Sequence, residues 1–103
     1  KKKRRTIMFT HVVLFKLKDN SKESMDKAHG ILSSMEGQIP ELKGLTVGKD
    51  ELFTERSCDI CLITTFESKE AMEAYQGHPF HVEEVLKNLK PLVEASKACD
   101  FTV

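Results

Sequence analysis

This chain lacks the features by which several function classes are recognised. No stretch approaches the roughly 18 apolar residues of a membrane span, and no basic, apolar and small-residue succession reads as a secretory signal. Acidic and basic side chains number 16 each, so the body carries no overall field to draw in nucleic acid or an anionic membrane. Cysteines number three, an odd count that fits a reducing compartment better than a disulfide framework and makes the cytoplasm the default location. His78 and His81 supply at most two ligands where zinc takes three or four, so no metal site is expected. No aromatic platform alternates with basic residues, which argues against single-stranded nucleic acid as a partner.

A length of 103 residues makes one domain. Folding at this size buries about two-thirds of the surface of the unfolded chain, so the core is modest and association with a second copy is expected. Five consecutive basic residues, Lys1 to Arg5, hold much of the positive charge, and without them the folded part is acidic. Residues 1–6 read as a solvated, disordered tail ahead of a domain spanning 7–103, with Met8 as a candidate starting residue.

Ile7 to Leu17 is rich in β-branched and aromatic residues and reads as a long strand, apolar on both faces. Asn20 with Glu23 resembles a capping box, after which Met25, Ala28, Ile31, Leu32 and Met35 recur at helical spacing to about Glu36, where Gly37 stops the helix. Leu42 to Phe53 reads as a second strand and Cys58 to Phe66 as a third, paired as an antiparallel hairpin. Ser68 caps a short helix that Gly77 ends. Pro79 opens another helix, with Val82, Val85, Leu86, Leu89 and Val93 as its apolar face and Pro91 as its kink or end. Ala98 to Val103 closes the chain as a fourth strand.

This order, β-α-β-β-α-β, predicts an α+β ferredoxin-like fold, a four-stranded antiparallel sheet with helices on one face. The other face has no helix left to cover it, yet the first strand is apolar on both sides. The expected cover is a second sheet, packed about a twofold axis into a dimeric α/β barrel.

Several stretches then carry a joint pattern: His11 to Asp19, Ile39 to Leu42, Val47 to Asp50, Thr65 to Ser68, Tyr75 to His81, and Asp100 with Phe101. In this the chain resembles the stress-responsive α/β-barrel domain (Dabb) family from about Thr6 to Val103. The resemblance implies a homodimer whose sheets face one another. Many members have no assigned reaction, whereas a plant member is a polyketide cyclase that closes a linear tetraketide without a cofactor. Its catalytic tyrosine and histidine match Tyr75 and His81, and its first-strand histidine matches His11. Its third-strand histidine falls on Ile60 here, and its first-helix tyrosine near Leu32 or Ser33.

The residues themselves allow two readings of Tyr75 to His81. As an active site, His81 is a neutral general base one turn into its helix, and the Tyr75 phenol donates or relays a proton to a carbonyl oxygen. As a helix junction, the Tyr75 hydroxyl bonds to His81 merely to satisfy two polar groups, and His78, restricted by Pro79, bonds to nearby backbone. His11 interrupts an apolar row and needs a partner or a ligand. Phe9 and Ile60, with His11 and His78, are the candidate ligand contacts, in the company of Val13, Phe15 and Leu62. His29 is expected to face solvent. Cys58 and Cys61, three apart in a strand, are expected to point to opposite faces, which argues against redox chemistry. The two function classes are therefore a small dimeric protein with an apolar small-molecule cavity and a cofactor-independent enzyme acting on a hydrophobic carbonyl compound. No cofactor is called for in either.

Overall fold

Phe9–Leu17 forms β1, one of the two inner strands of the sheet. The computed structural model describes residues 8–103, so the expected tail of residues 1–6 lies outside them. β1 is followed by α1 (Lys22–Ser33), β2 (Gly44–Lys49), β3 (Ile60–Phe66) and α2 (Lys69–Gly77). A third helical stretch runs on in three pieces, π-helical over Phe80–Leu86, α-helical over Lys87–Leu89 (α3) and 3-10 over Lys90–Leu92, before β4 (Val93–Thr102). The strands lie in the order β2-β3-β1-β4, with every pairing antiparallel. This is the expected ferredoxin-like fold.

Strand periodicity decides which side the helices take. Along β3 the buried residues are Ile60, Leu62, Thr64 and Phe66, while Cys61, Ile63 and Thr65 between them are half-buried. Ile60, Leu62 and Phe66 of the first set pack with Met25, Ala28 and Leu32 of α1, Met72 and Tyr75 of α2, and Val85 and Leu89 in a single core. Each such fully buried large side chain contributes about 1.5–3 kcal/mol relative to exposure. The opposite face presents Val12, Leu14, Ile63 and Phe101, with Leu14 and Phe101 about two-fifths exposed, at 40% and 43%.

Local chemistry sets the boundaries, and some differ from expectation. α1 is capped by Ser21 rather than Asn20: the Ser21 backbone is extended, and its hydroxyl accepts from the Ser24 N–H at 3.2 Å. Gly37 turns the chain after α1 at φ 77°, a left-handed conformation that glycine adopts without steric cost. β2 is shorter than the expected Leu42 to Phe53, since Asp50 leaves the ladder and its carboxylate accepts from the Phe53 N–H, with Phe53 itself at φ 52°.

The third helical stretch also departs from the expected apolar face. π-helical hydrogen bonds span five residues, so Phe80 and Val85 come onto one side while Val82 and Leu86 turn towards solvent at 42% and 45% exposure. Val93, expected on this helix, opens β4 instead, because Pro91 closes the 3-10 turn and the chain goes extended at Val93. His29 does not face solvent freely: it is half-buried, with Nε2 at 3.2 Å from the Val47 carbonyl, tying α1 to β2.

Candidate functional site

A groove of about 360 Å³ opens between the sheet and the third helical stretch, with Val13, Phe15, Leu62, Val85 and Leu89 among its apolar walls. His11, Tyr75 and His81 also line it. β1 supplies His11, α2 ends with Tyr75 on its buried side, and the π-helical segment turns His81 back over α2.

His81 is held by its Nδ1, which donates to the Gln76 carbonyl at 3.0 Å. That bond fixes the tautomer, so in the neutral ring Nε2 carries the lone pair. Burial lowers the pKa of His81 from the ordinary 6.5; the Gln76 carbonyl opposes the shift, and His11 and His78 add to it. The neutral imidazole thus follows chiefly from desolvation of the ring.

Tyr75 is 1% exposed, with its ring packed between Phe66 at 4.9 Å and His81 at 4.6 Å between centroids. Its hydroxyl points to the Met35 sulfur at 3.5 Å. The expected hydroxyl bond to His81 is therefore not formed: the two residues touch through their rings, because the phenol extends past the imidazole to Met35 in the turn after α1. Burial also pushes the phenol pKa well above its usual value, so its proton is firmly held.

His11 is 8% exposed, and its Nδ1 hydrogen-bonds Oδ1 of Asp100. The two residues are direct neighbours in the β1–β4 ladder, so pairing register alone brings them together. The His11 carbonyl accepts from the buried Thr64 hydroxyl at 3.2 Å on the other side. The ring is thus oriented by an acidic partner on Nδ1, and Nε2 is its remaining polar atom.

A family model described as Stress responsive A/B Barrel Domain (Dabb) matches residues 9–103. The chain belongs to the Dabb family. No curated protein matches it. Among solved structures, an Arabidopsis thaliana protein is 27% identical, with 90% of this chain and 92% of that one covered at a TM-score of 0.77. A dimeric ferredoxin-like protein of unknown function from Thermobifida fusca is 24% identical, with coverage of 96% and 93% and a TM-score of 0.81. A hydroxynitrile lyase from Passiflora edulis shares the fold at 17% identity, coverage of 96% and 95%, and a TM-score of 0.80.

The residues that the sequence nominates in this Dabb protein divide by position. His11, Tyr75 and His81 meet at the groove; Phe9, Ile60 and His78 are not among its lining residues. Phe9 packs against the core, and Ile60 is buried within it at 1% exposure. His78 sits at the C-cap of α2, where its Nδ1 accepts from the Phe80 N–H at 3.0 Å. Asp100 received no role from the sequence reading; its signal was a carboxylate in the last strand at the ladder position opposite His11, legible only once the register is known. Among the described residues no group of three or more His, Cys, Asp or Glu is placed to hold a metal ion. No helix among them is long and apolar enough to cross a membrane.

Proposed function

We propose that this Dabb protein is a homodimer that binds a small, largely apolar carbonyl compound in the groove between its sheet and helices. The observation that carries the reading is the convergence of two imidazoles on one apolar groove, each anchored through Nδ1 to a polar partner. Small-molecule sites combine apolar walls with a few oriented polar groups in this way. The apolar face of the sheet opposite the helices supports the dimer, with the second copy as its cover. The description of the Thermobifida fusca relative as dimeric supports it too. Three free cysteines fit a cytoplasmic setting.

The test is a chemical-shift titration with a panel of aryl and alkyl ketones. Binding at this site moves the ring signals of His11 and His81 together with Val13 and Leu89. Shifts confined to other surfaces reject the reading. Sedimentation showing a stable monomer at micromolar concentration rejects the dimer.

The fixed tautomer of His81 favours a second reading, cofactor-independent proton transfer. Nε2 of the neutral His81 ring would take a proton from the carbon next to the carbonyl, and a His11 ring that carries both protons, one of them shared with Asp100, would donate its Nε2–H to the oxygen on which charge develops. In this reading Tyr75 positions His81 by ring packing rather than relaying the proton itself. Deuterium exchange at that carbon of a bound ketone, lost in His81→Gln, is its test; exchange unchanged in the variant removes it.

A further inference from the structure

We propose, building on carbonyl binding at His11 and His81, that the full ligand is a straight-chain keto acid whose carboxylate lies at the far end of the same trough, against Lys90 and Ser96. A second hollow, of about 300 Å³, adjoins the histidine groove. Phe15, Leu86, Leu89 and Ser96 line both, so the two are chambers of one trough with common walls. Lys90 and Val93 complete the second chamber. Phe15 and Ser96 share a ladder row with Ile60, which is buried beneath the helices, so this chamber opens on the helix side of the sheet. A second copy packed on the opposite face does not cover it.

The two ends differ in chemistry. At the histidine end the polar groups include two oriented imidazoles, whereas the polar side chains of the second chamber are Lys90 and Ser96. No carboxylate lines either chamber, so a ligand anion finds a partner here and a ligand cation finds none. Among the described residues the ion pairs join His11 to Asp100 and Asp26 to Lys22 and Lys49, which leaves the Lys90 ammonium to a ligand. The backbone around Lys90 is well anchored. Its carbonyl accepts from the Val93 N–H, and the Leu92 carbonyl accepts from the Lys18 N–H at 2.9 Å, tying this turn to the end of β1. A lysine placed there can lay its stem along the apolar wall and keep its charge at the mouth.

Between the ends the shared wall is apolar, made by Phe15, Leu86 and Leu89. From His11 to Phe15 β1 advances about 13 Å, at roughly 3.3 Å per residue, and this is the length of ligand that joins the imidazoles to the second chamber. A methylene chain suits that stretch. Leu86, 45% exposed, gains apolar cover from it, while the ketone and the carboxylate at the chain ends each meet a polar partner.

The experiment titrates the full chain, in the assembly it forms in solution, with straight-chain methyl-ketone acids long enough to span about 13 Å and with their methyl esters, followed by NMR. Each acid is expected to bind about fivefold more tightly than its ester, as a partly exposed ion pair allows, and to shift Leu86 and Val93 together with His11 and His81. In Lys90→Gln the acid is expected to fall to the affinity of the ester, and the ester to be unchanged. A short keto acid, unable to reach both ends, is expected to show no preference over its own ester. Equal binding of long acid and ester by the unaltered chain, a preference that survives Lys90→Gln, or the same preference in the short acid would overturn the keto-acid proposal, while shifts at His11 and His81 would leave carbonyl binding standing. Absence of those histidine shifts with every compound rejects both.

Discussion

Tyr75 lies ring against ring with His81, centroids 4.6 Å apart, while its hydroxyl is turned to the sulfur of Met35. Phenol and imidazole are adjacent in space without sharing a proton path. Tyr75→Phe is therefore expected to change stability by less than about 1 kcal/mol, since one weak bond to sulfur is lost and the packing is kept. Tyr75→Ala is expected to cost about 3–5 kcal/mol through the cavity it leaves. Urea unfolding of both variants checks the pair. Ketone binding or exchange that disappears in Tyr75→Phe, at unchanged stability, would return the hydroxyl to the site.

His81 gives the fold a dependence on acid. Its folded pKa lies below 6.5, the value it recovers when unfolded, so the unfolded chain binds the proton more readily. The stabilisation is complete above about pH 6.5 and is lost as pH falls from there through the folded pKa. His81→Gln is expected to flatten the stability profile in that window. A ring titration by NMR with a midpoint at or above 6.5 would contradict this.

Asp100 orients His11 from the neighbouring strand, and its side chain remains 39% exposed, so water takes up part of any loss. Asp100→Ala is accordingly expected to cost only about 1 kcal/mol in stability. Its larger effect falls on the groove, where the His11 ring loses the partner that fixes its orientation. Binding of the ketone panel should weaken severalfold in the variant while circular dichroism stays unchanged. Equal affinity would separate the pair from ligand binding.

Gly37, at φ 77°, is predicted to resist any side chain. Gly37→Ala is expected to destabilise by about 1–2 kcal/mol from backbone strain alone, because there is nothing near its missing Cβ to clash with. Thermal unfolding provides the measurement.

The architecture was legible because it rests on period and on caps. β1 announces itself by its β-branched and aromatic content, Ser68 caps α2 through the Ala71 N–H at 3.1 Å, and Pro91 stops the last helical stretch. The candidate site was legible in part: His11, Tyr75 and His81 meet, yet the direction of the Tyr75 hydroxyl depends on Met35, which the turn after α1 brings to it. Cys58 and Cys61 line one pocket rather than opposite faces, and this was not legible, because Asp59 between them bonds to Phe15 and Leu17, more than 40 residues away along the chain. The π-helical hydrogen bonds of Phe80–Leu86 likewise escape a reading that assumes a period of 3.6.

β4 has a further consequence for how this groove can diversify. From Glu94 to Thr102 its residues are exposed, so they add little to the core, while Ser96 and Ala98 form part of the groove wall. Mutational tolerance and ligand choice therefore fall on the same strand. A lineage, or a directed library, can exchange Ser96 and Ala98 for larger or more polar residues and re-shape the pocket at small thermodynamic cost, leaving the two histidines and the helices that hold them untouched.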